Sequence, residues 1–363
     1  VTRGIHPQKI PFIYFKTFPE GLYLQLEIIL KFVIRTVSLV KGKMKDKARI
    51  EEQIARLGEK YKDSGQDLNA YLDGLLHQRY LTYWDYINLD TLLSLQQPRT
   101  YFPDEEIFIM YHQITELYFK LILHEQKQLV DDRSQNLDFF IQKAKRINSY
   151  YEALISSFGI MIKGMEREQF LQYRMALLPA SGFQSAQFRM IEIYATPLEN
   201  LVHLGKRDQL SQKNSIEELF EEIYWKKGAT DLATGEKTLT LKQFEYRYTP
   251  RLIRIAKQVR NNTIYHKYLE LSQRKKDNKV LSEALKTLDI NANINWNLMH
   301  MGAAHRHLAN DKGEIEATGG TNWKEFLPPG FQKIVFFPEL YSQQELNNWG
   351  KQWVDHIFNP DKK

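Results

Sequence analysis

Helical periodicity runs through this chain almost without a break, and it leaves little room for any architecture built on sheets. Apolar residues return every three to four positions over 20–42, 45–62, 67–80, 86–96, 105–131, 135–159, 165–176, 183–204, 214–226, 240–274, 279–288 and 292–309. That spacing gathers them on one side of an α-helix. Sustained alternation of the strand kind is scarce, and a short hairpin around Gly228 to Leu241 is its best candidate. The pattern predicts an all-α fold of the helical-bundle type. Asp104, just after Pro103, is the expected N-cap of the 105–131 helix, with Glu105 and Glu106 favourably placed in its first turn. The stretch Ala317-Thr318-Gly319-Gly320-Thr321-Asn322 is expected to be a loop, because paired glycines permit backbone conformations that other residues avoid. Residues 1–75 read as a basic helical N-terminal extension, and residues 76–363 as the main domain.

Composition narrows the chemistry. The chain has no cysteine, so disulfides, thiolate nucleophiles, iron–sulfur clusters and thiolate-held or covalently attached haem are excluded. Any metal must be held by histidine or carboxylate. Twenty tyrosines, 20 phenylalanines and six tryptophans suit a chain that buries large flat surfaces, its own or a ligand's. The most apolar stretch, Leu22 to Val40, is interrupted by Glu27, Lys31 and Arg35, which fits an amphipathic helix and not a membrane span. No signal-peptide pattern is visible, so a cytoplasmic location without membrane contact is expected. The net charge of +6 permits nucleic-acid binding without arguing for it. The densest basic run, Arg251 to Lys279, comes with no nucleic-acid-binding motif and is expected to be a solvated helix face. Phosphate-binding loops, dinucleotide glycine fingerprints, His-Glu-x-x-His and nucleophile elbows are also missing.

Four constellations remain. Residues 170–185, FLQYRMALLPASGFQS, hold one arginine, Arg174, among apolar and aromatic residues, followed by the small-residue turn Pro179-Ala180-Ser181-Gly182. A guanidinium in such a setting either closes an internal ion pair or receives a carboxylate or phosphate. In the 105–131 helix, Phe108, His112 and Glu116 are four apart and share one side; they either line a pocket or fill the core. In the 292–309 helix, Trp296 and His300 are four apart, and Gly302, Ala303 and Ala304 follow within a turn. A flat macrocycle ligated by His300 needs such small neighbours, and a proximal histidine is one way to hold haem iron. His305 and His307 compete for the ligand role, but beside Arg306 they are expected to be more exposed. Tyr83 and Tyr86, three apart, either cap a pocket or pack at a subunit boundary.

Taken in order, these pieces resemble the tryptophan 2,3-dioxygenase family, haem enzymes that open the indole ring. The order is Tyr83-x-x-Tyr86, then Asp104-Glu105 with Phe108 and His112-Gln113, then Phe170 and Arg174 with Pro179 to Ser185, then Trp296 and His300, then Thr318-Gly319-Gly320. The resemblance covers roughly residues 80 to 340. It implies an all-α homotetramer with a non-covalent b-type haem, which makes 76–363 a haem-binding dioxygenase domain. His300 matches the proximal iron ligand, with Trp296 and Ser181 close to the haem. His112 matches the distal histidine that meets the indole N–H, and Arg174 the partner of the substrate carboxylate. Thr318 matches a contact to the amino-acid end, Phe108 a wall against the indole, and Phe170 a neighbour of Arg174. Tyr83 and Tyr86 match residues that close the pocket from an adjacent subunit. The implied reaction takes L-tryptophan and O2 to N-formylkynurenine. One departure is the loop Ala317 to Trp323, bulkier in its second half than the family's Gly-Thr-Gly-Gly-Ser-Ser-Gly. It leaves open a relative in secondary metabolism acting on a substituted tryptophan or indole. A haem-binding sensor or helical interaction protein is the non-catalytic alternative.

Overall fold

The computed structural model describes residues 31, 33, 45–62, 65, 67–211, 213–230, 235–274, 278–310, 313–314 and 328–351. Their contacts divide the chain into two compact units, Val1–Leu89 and Asp90–Lys363.

In the first unit a helix runs through residues 45–61, followed by α1 (Leu68–His77) and α2 (Tyr83–Ile87). Tyr61 stacks on Tyr71 at 4.4 Å between ring centroids. The facing apolar side chains Leu57, Leu68, Leu72 and Leu75 line an open groove of about 400 Å³. Neither α1 nor α2 buries any residue.

The second unit is built on α3 (Pro103–Asp131) and α4 (Leu137–Ser157). Pro103 starts α3 as its first helical residue, where a missing N–H costs nothing, so Phe102 occupies the N-cap position. The expected cap, Asp104, lies one position inside Pro103. Its carboxylate Oδ2 instead accepts from Glu166 N at 2.6 Å, across 62 residues of chain. Glu105 is also turned inward and accepts from the Arg99 and Thr100 backbone N–H groups, each at 2.7 Å. Asn136 caps α4 by accepting from Asp138 N and Phe139 N. On the shared face, Phe119, Ile122 and Leu129 meet Ile147, Tyr151 and Leu154 in one buried cluster. Each such side chain contributes roughly 1.5–3 kcal/mol of transfer free energy.

Short helices α5 (Gly159–Lys163) and α6 (Arg167–Tyr173) follow, and α6 tightens into a 3₁₀ turn at Arg174–Leu177. Helix α7 (Ala186–Ala195) buries every residue from Arg189 to its end. It stops well short of 204 because Pro197 has no N–H with which to continue the ladder. After α8 (Ile216–Glu221), the pattern over 240–274 resolves into α9 (Leu239–Val259) and α10 (Ile264–Arg274), broken at Arg260–Thr263. Arg251, Arg254 and Lys257 lie on the exposed side of α9 while Leu252, Ile255 and Val259 are buried, so that part of the basic run is a solvated face; Arg260 and Lys267 are half-buried and donate to Asn214 O and Asp132 O.

Helix α11 (Lys279–Ile290) packs along α4, where Asn148 Nδ2 donates to Ala284 O at 2.8 Å. It runs through a π-helical turn, Asn291–Asn295, into α12 (Trp296–Leu308). Asp289, fully buried, accepts from the Phe336 and Phe337 backbone N–H groups and from Asn293 Nδ2, fastening the C-terminal segment to the base of that turn.

Of the hairpin expected at Gly228–Leu241, residues 231–234 lie outside the described residues, and Thr230 and Lys237 form an antiparallel bridge. The ladder among the described residues is elsewhere: Ala309 pairs with Glu314 and Asn310 with Gly313. Among the described residues the fold is helical apart from these contacts and a bridge between Val202 and Ile223. No described helix is long and apolar enough to cross a membrane.

Candidate functional site

Three elements of the second unit converge on one group of rings: α3, α6 and α12. On α3, the spacing of four places Phe108 one turn before His112, and their ring centroids are 4.1 Å apart. His112 Nδ1 lies 2.7 Å from Phe108 O. A carbonyl only accepts, so Nδ1 carries the proton and donates. Nε2 is left with its lone pair, an acceptor facing away from its own helix. Burial lowers the pKa of His112, against the Phe108 carbonyl and the Glu116 carboxylate, which both pull upward. The imidazole is therefore neutral near pH 7. Glu116 is itself held, its backbone carbonyl and Oε2 each accepting from Gln187 Nε2 at 2.8 Å.

The same device operates on α12. His300 Nδ1 lies 3.3 Å from Trp296 O, so Nδ1–H donates and Nε2 keeps its lone pair. Burial lowers the His300 pKa to about 4, and the His112 imidazole pushes it in the same direction. The two histidines thus sense each other from separate helices. Between them runs a path of aromatic contacts: His300 to Phe158 (4.8 Å), Phe158 to Tyr111 (5.4 Å) and Tyr111 to His112 (6.0 Å). Trp296 closes against both His300 (4.4 Å) and Phe158 (4.9 Å). Phe158 was not singled out from the sequence. It lies four residues after Leu154 and seven after Tyr151, the repeat that marks the buried side of α4.

Helix α6 supplies the third wall. Phe170 is 6.1 Å from Phe108, and Tyr173 approaches both rings, at 6.1 Å from Phe108 and 5.7 Å from Phe170. Tyr173 Oη donates to Asp104 O at 3.4 Å, tying α6 to the start of α3. Arg174 follows directly and is buried, 4% exposed, as its apolar company suggested. The Pro179–Ser185 segment is strapped to the start of α9: Thr240 Oγ1 donates to Pro179 O at 3.0 Å and Gln184 Nε2 to Thr240 O at 3.2 Å. Ser181 is half-buried in this loop, and Ser185 caps α7.

Phe108, His112, Phe170, Trp296 and His300 are therefore brought into one cluster, and Arg174 is buried next to Tyr173 in the chain. Tyr83 and Tyr86 belong to the first unit and are exposed there. Thr318 lies outside the described residues. His305 is exposed as expected, but His307 is not: it is 3% exposed and its Nε2 meets Met161 O at 2.7 Å. The charged neighbours misled. Seven residues from His300 is two helical turns, which returns His307 to the inner side of α12.

The donor set tests the fit of a haem. An axial ligand must offer a neutral imidazole nitrogen with its partner N–H anchored, and His300 meets both conditions. Gly302, Ala303 and Ala304 keep the following turn low; a Cβ on Gly302 would meet no heavy atom nearer than 3.7 Å. Among the described residues there is no group of three or more His, Asp or Glu that suits a protein-caged metal ion. The residues present fit a single-histidine ligand to a flat macrocycle.

A family model for tryptophan 2,3-dioxygenase matches residues 75–243. The tryptophan 2,3-dioxygenase of Herpetosiphon aurantiacus is 31% identical over 271 residues, covering 72% of this chain and 96% of the relative. That of Bacillus thuringiensis subsp. konkukian is 29% identical over 270 residues, with 72% and 91% covered. The Arthrobacter sp. (strain FB24) protein of the same name is 27% identical over 277 residues, with 72% and 90% covered.

Proposed function

From the premise that this chain belongs to the tryptophan 2,3-dioxygenase family, we propose that it cleaves the indole C2–C3 bond of L-tryptophan with O2, giving N-formylkynurenine. The observation that carries this reading is the shared tautomer of His112 and His300. Each donates Nδ1–H to the carbonyl four residues back, so each presents a bare Nε2 to the space between helices. On His300 that lone pair holds a non-covalent b-type haem, which supplies the redox iron that lets O2 react with an indole. On His112 it accepts the indole N–H and orients the ring.

Phe108 and Phe170 form the apolar wall against the indole, and Trp296 packs behind His300. Arg174 pairs with the substrate carboxylate, and Thr318 contacts the amino-acid end. Ser181 lies near the haem. Fixing the carboxylate and the indole N–H at two points restricts the ring to one pose, a positioning effect. A homotetramer supports this arrangement, with Tyr83 and Tyr86 closing the pocket of a neighbouring subunit. Leu75, Leu76, Tyr80, Leu81, Tyr83, Trp84 and Tyr86 are all exposed on the chain alone, a run of apolar surface that marks an interaction site.

The test is turnover of L-tryptophan by the ferrous, haem-loaded protein, read as N-formylkynurenine absorbance. Arg174→Ala is expected to raise KM for tryptophan about 10- to 100-fold, the value of losing a charged hydrogen-bonded pair of roughly 1.5–3 kcal/mol. No product from fully loaded wild-type protein, or an unchanged KM in the variant, overturns the assignment.

A further inference from the structure

His307 is absorbed by none of the roles above, yet it is placed with care. It lies on the inner side of α12, two turns beyond His300. Its Nε2–H donates to Met161 O at 2.7 Å, which fixes both the ring plane and the tautomer. Its ring centroid is 5.1 Å from that of Phe170. Phe170 is 6.1 Å from Phe108, and Phe108 is 4.1 Å from His112. Four rings from three helices therefore stand in a row, with His307 at one end and the distal histidine at the other. The row is braced at the His307 end: Arg167 Nη2 on α6 donates to Ala309 O at 3.1 Å, just past the end of α12. Nδ1 of His307 is buried and has no hydrogen-bond partner. A core that wanted only volume at this position would use leucine or phenylalanine, since an unmade buried hydrogen bond costs free energy.

We propose that His307 is a positioning residue that sets the size of the indole site, by acting as the backstop of the Phe170–Phe108 wall. This rests on the reading of that wall as the indole-facing surface. The Met161 bond holds the imidazole still, the imidazole holds Phe170, and Phe170 limits how far Phe108 recedes. An indole ring substituent that points at the wall is excluded because the row has nowhere to move. Protein interiors yield little to an added methyl group, so a braced wall discriminates more sharply than an unbraced one.

The experiment measures binding of L-tryptophan and 6-methyl-L-tryptophan to haem-loaded protein by titration calorimetry, in wild type, His307→Ala, His307→Gln and His307→Phe. The alanine variant removes the ring and the bond. Glutamine keeps a donor for Met161 O but no ring, and phenylalanine keeps the ring without the donor. The wild type is expected to prefer L-tryptophan. That preference should fall about tenfold in His307→Ala and His307→Gln, within the range one methyl group commands in an apolar pocket, and persist in His307→Phe. General loosening would weaken both ligands together and leave their ratio alone, so the ratio separates a backstop from a merely structural residue. If His307→Ala does not fold, the glutamine variant gives the same reading. A ratio that is the same in all four proteins overturns the proposal while tryptophan binding stands. A wild type that binds no L-tryptophan overturns the functional reading, and the proposal falls with it.

Discussion

In the helical body, Ile147, Tyr151 and Leu154 on α4 are sealed from solvent, whereas α1 and α2 in the N-terminal unit bury none of their residues. Both regions are helical and both are rich in large apolar side chains. The difference lies in what covers them. The body closes its own core by packing α3, α4, α7 and α11 together. The N-terminal unit shows Leu76 at 80% exposure and Tyr80 at 99%. A ten-residue helix such as α1 is marginal in water without tertiary packing. The lesson is a division of labour: the body covers its own apolar side chains, and the N-terminal unit leaves those of α1 and α2 exposed on the chain alone.

The largest effect that sharpens this contrast is on haem. His300→Ala is expected to abolish stoichiometric haem uptake, read as loss of the Soret band. Tyr83→Phe and Tyr86→Phe are expected to retain full uptake, because the proposed ligand His300 and its Nδ1 anchor Trp296 both lie on α12. Full occupancy in His300→Ala, or a haem-free Tyr83 or Tyr86 variant, would break the division.

Stability gives the next contrast. Leu154→Ala opens a cavity in the buried cluster and is expected to cost about 2–5 kcal/mol, seen as a lower urea midpoint. Leu76→Ala is expected to change that midpoint by less than about 0.5 kcal/mol, as for other exposed positions. It should instead shift the oligomer toward smaller species in analytical ultracentrifugation. Equal costs at the two leucines would mean that the N-terminal unit has a core of its own.

The same contrast explains what was legible beforehand. Long helices with one buried side, α3, α4 and α11, announced themselves through period alone, and the spacing of Phe108 to His112 and of Trp296 to His300 survived intact. Their ends were harder. Pro103 displaced the cap from Asp104 to Phe102, and Asp104 and Glu105 turned inward to bind backbone groups that sequence spacing does not reveal. Pro250 sits inside α9 without ending it, whereas the break at 260–263 came where no proline stands. The site was legible where a residue's neighbours shared its helix. It was not where the contact crossed helices, as for Phe158 between the two histidines and His307 behind Phe170. Charged neighbours made His307 look like surface, although its phase relative to His300 placed it inside.

The smallest effect concerns pH, and the body's own buried groups set its sign. Burial raises the Asp289 pKa to about 7, against the N–H groups of Phe336, Asn293 and Phe337, which favour the carboxylate. The native state then holds a proton that the unfolded chain releases near pH 4. The stability from Asp289 is full below that value and is lost as pH rises through 7. Burial works in the opposite sense on His307, whose pKa is lowered even though the Met161 carbonyl favours its charged form. Its contribution is present above about pH 6.5, the ordinary histidine value, and is lost as pH falls. Burial lowers His112 and His300 in the same sense, so between pH 6 and 7 the histidines make stability rise with pH and Asp289 opposes that rise. Asp289→Asn cannot ionise, so its stability should rise between pH 6 and 7 more steeply than that of wild type, by up to about 1.4 kcal/mol per pH unit. The absolute melting temperature is the wrong readout. The amide has one acceptor oxygen for donors that now share two, so the variant is less stable at every pH. The slope alone carries the answer: if Asp289→Asn keeps the wild-type slope between pH 6 and 7, the buried carboxyl is not what titrates there.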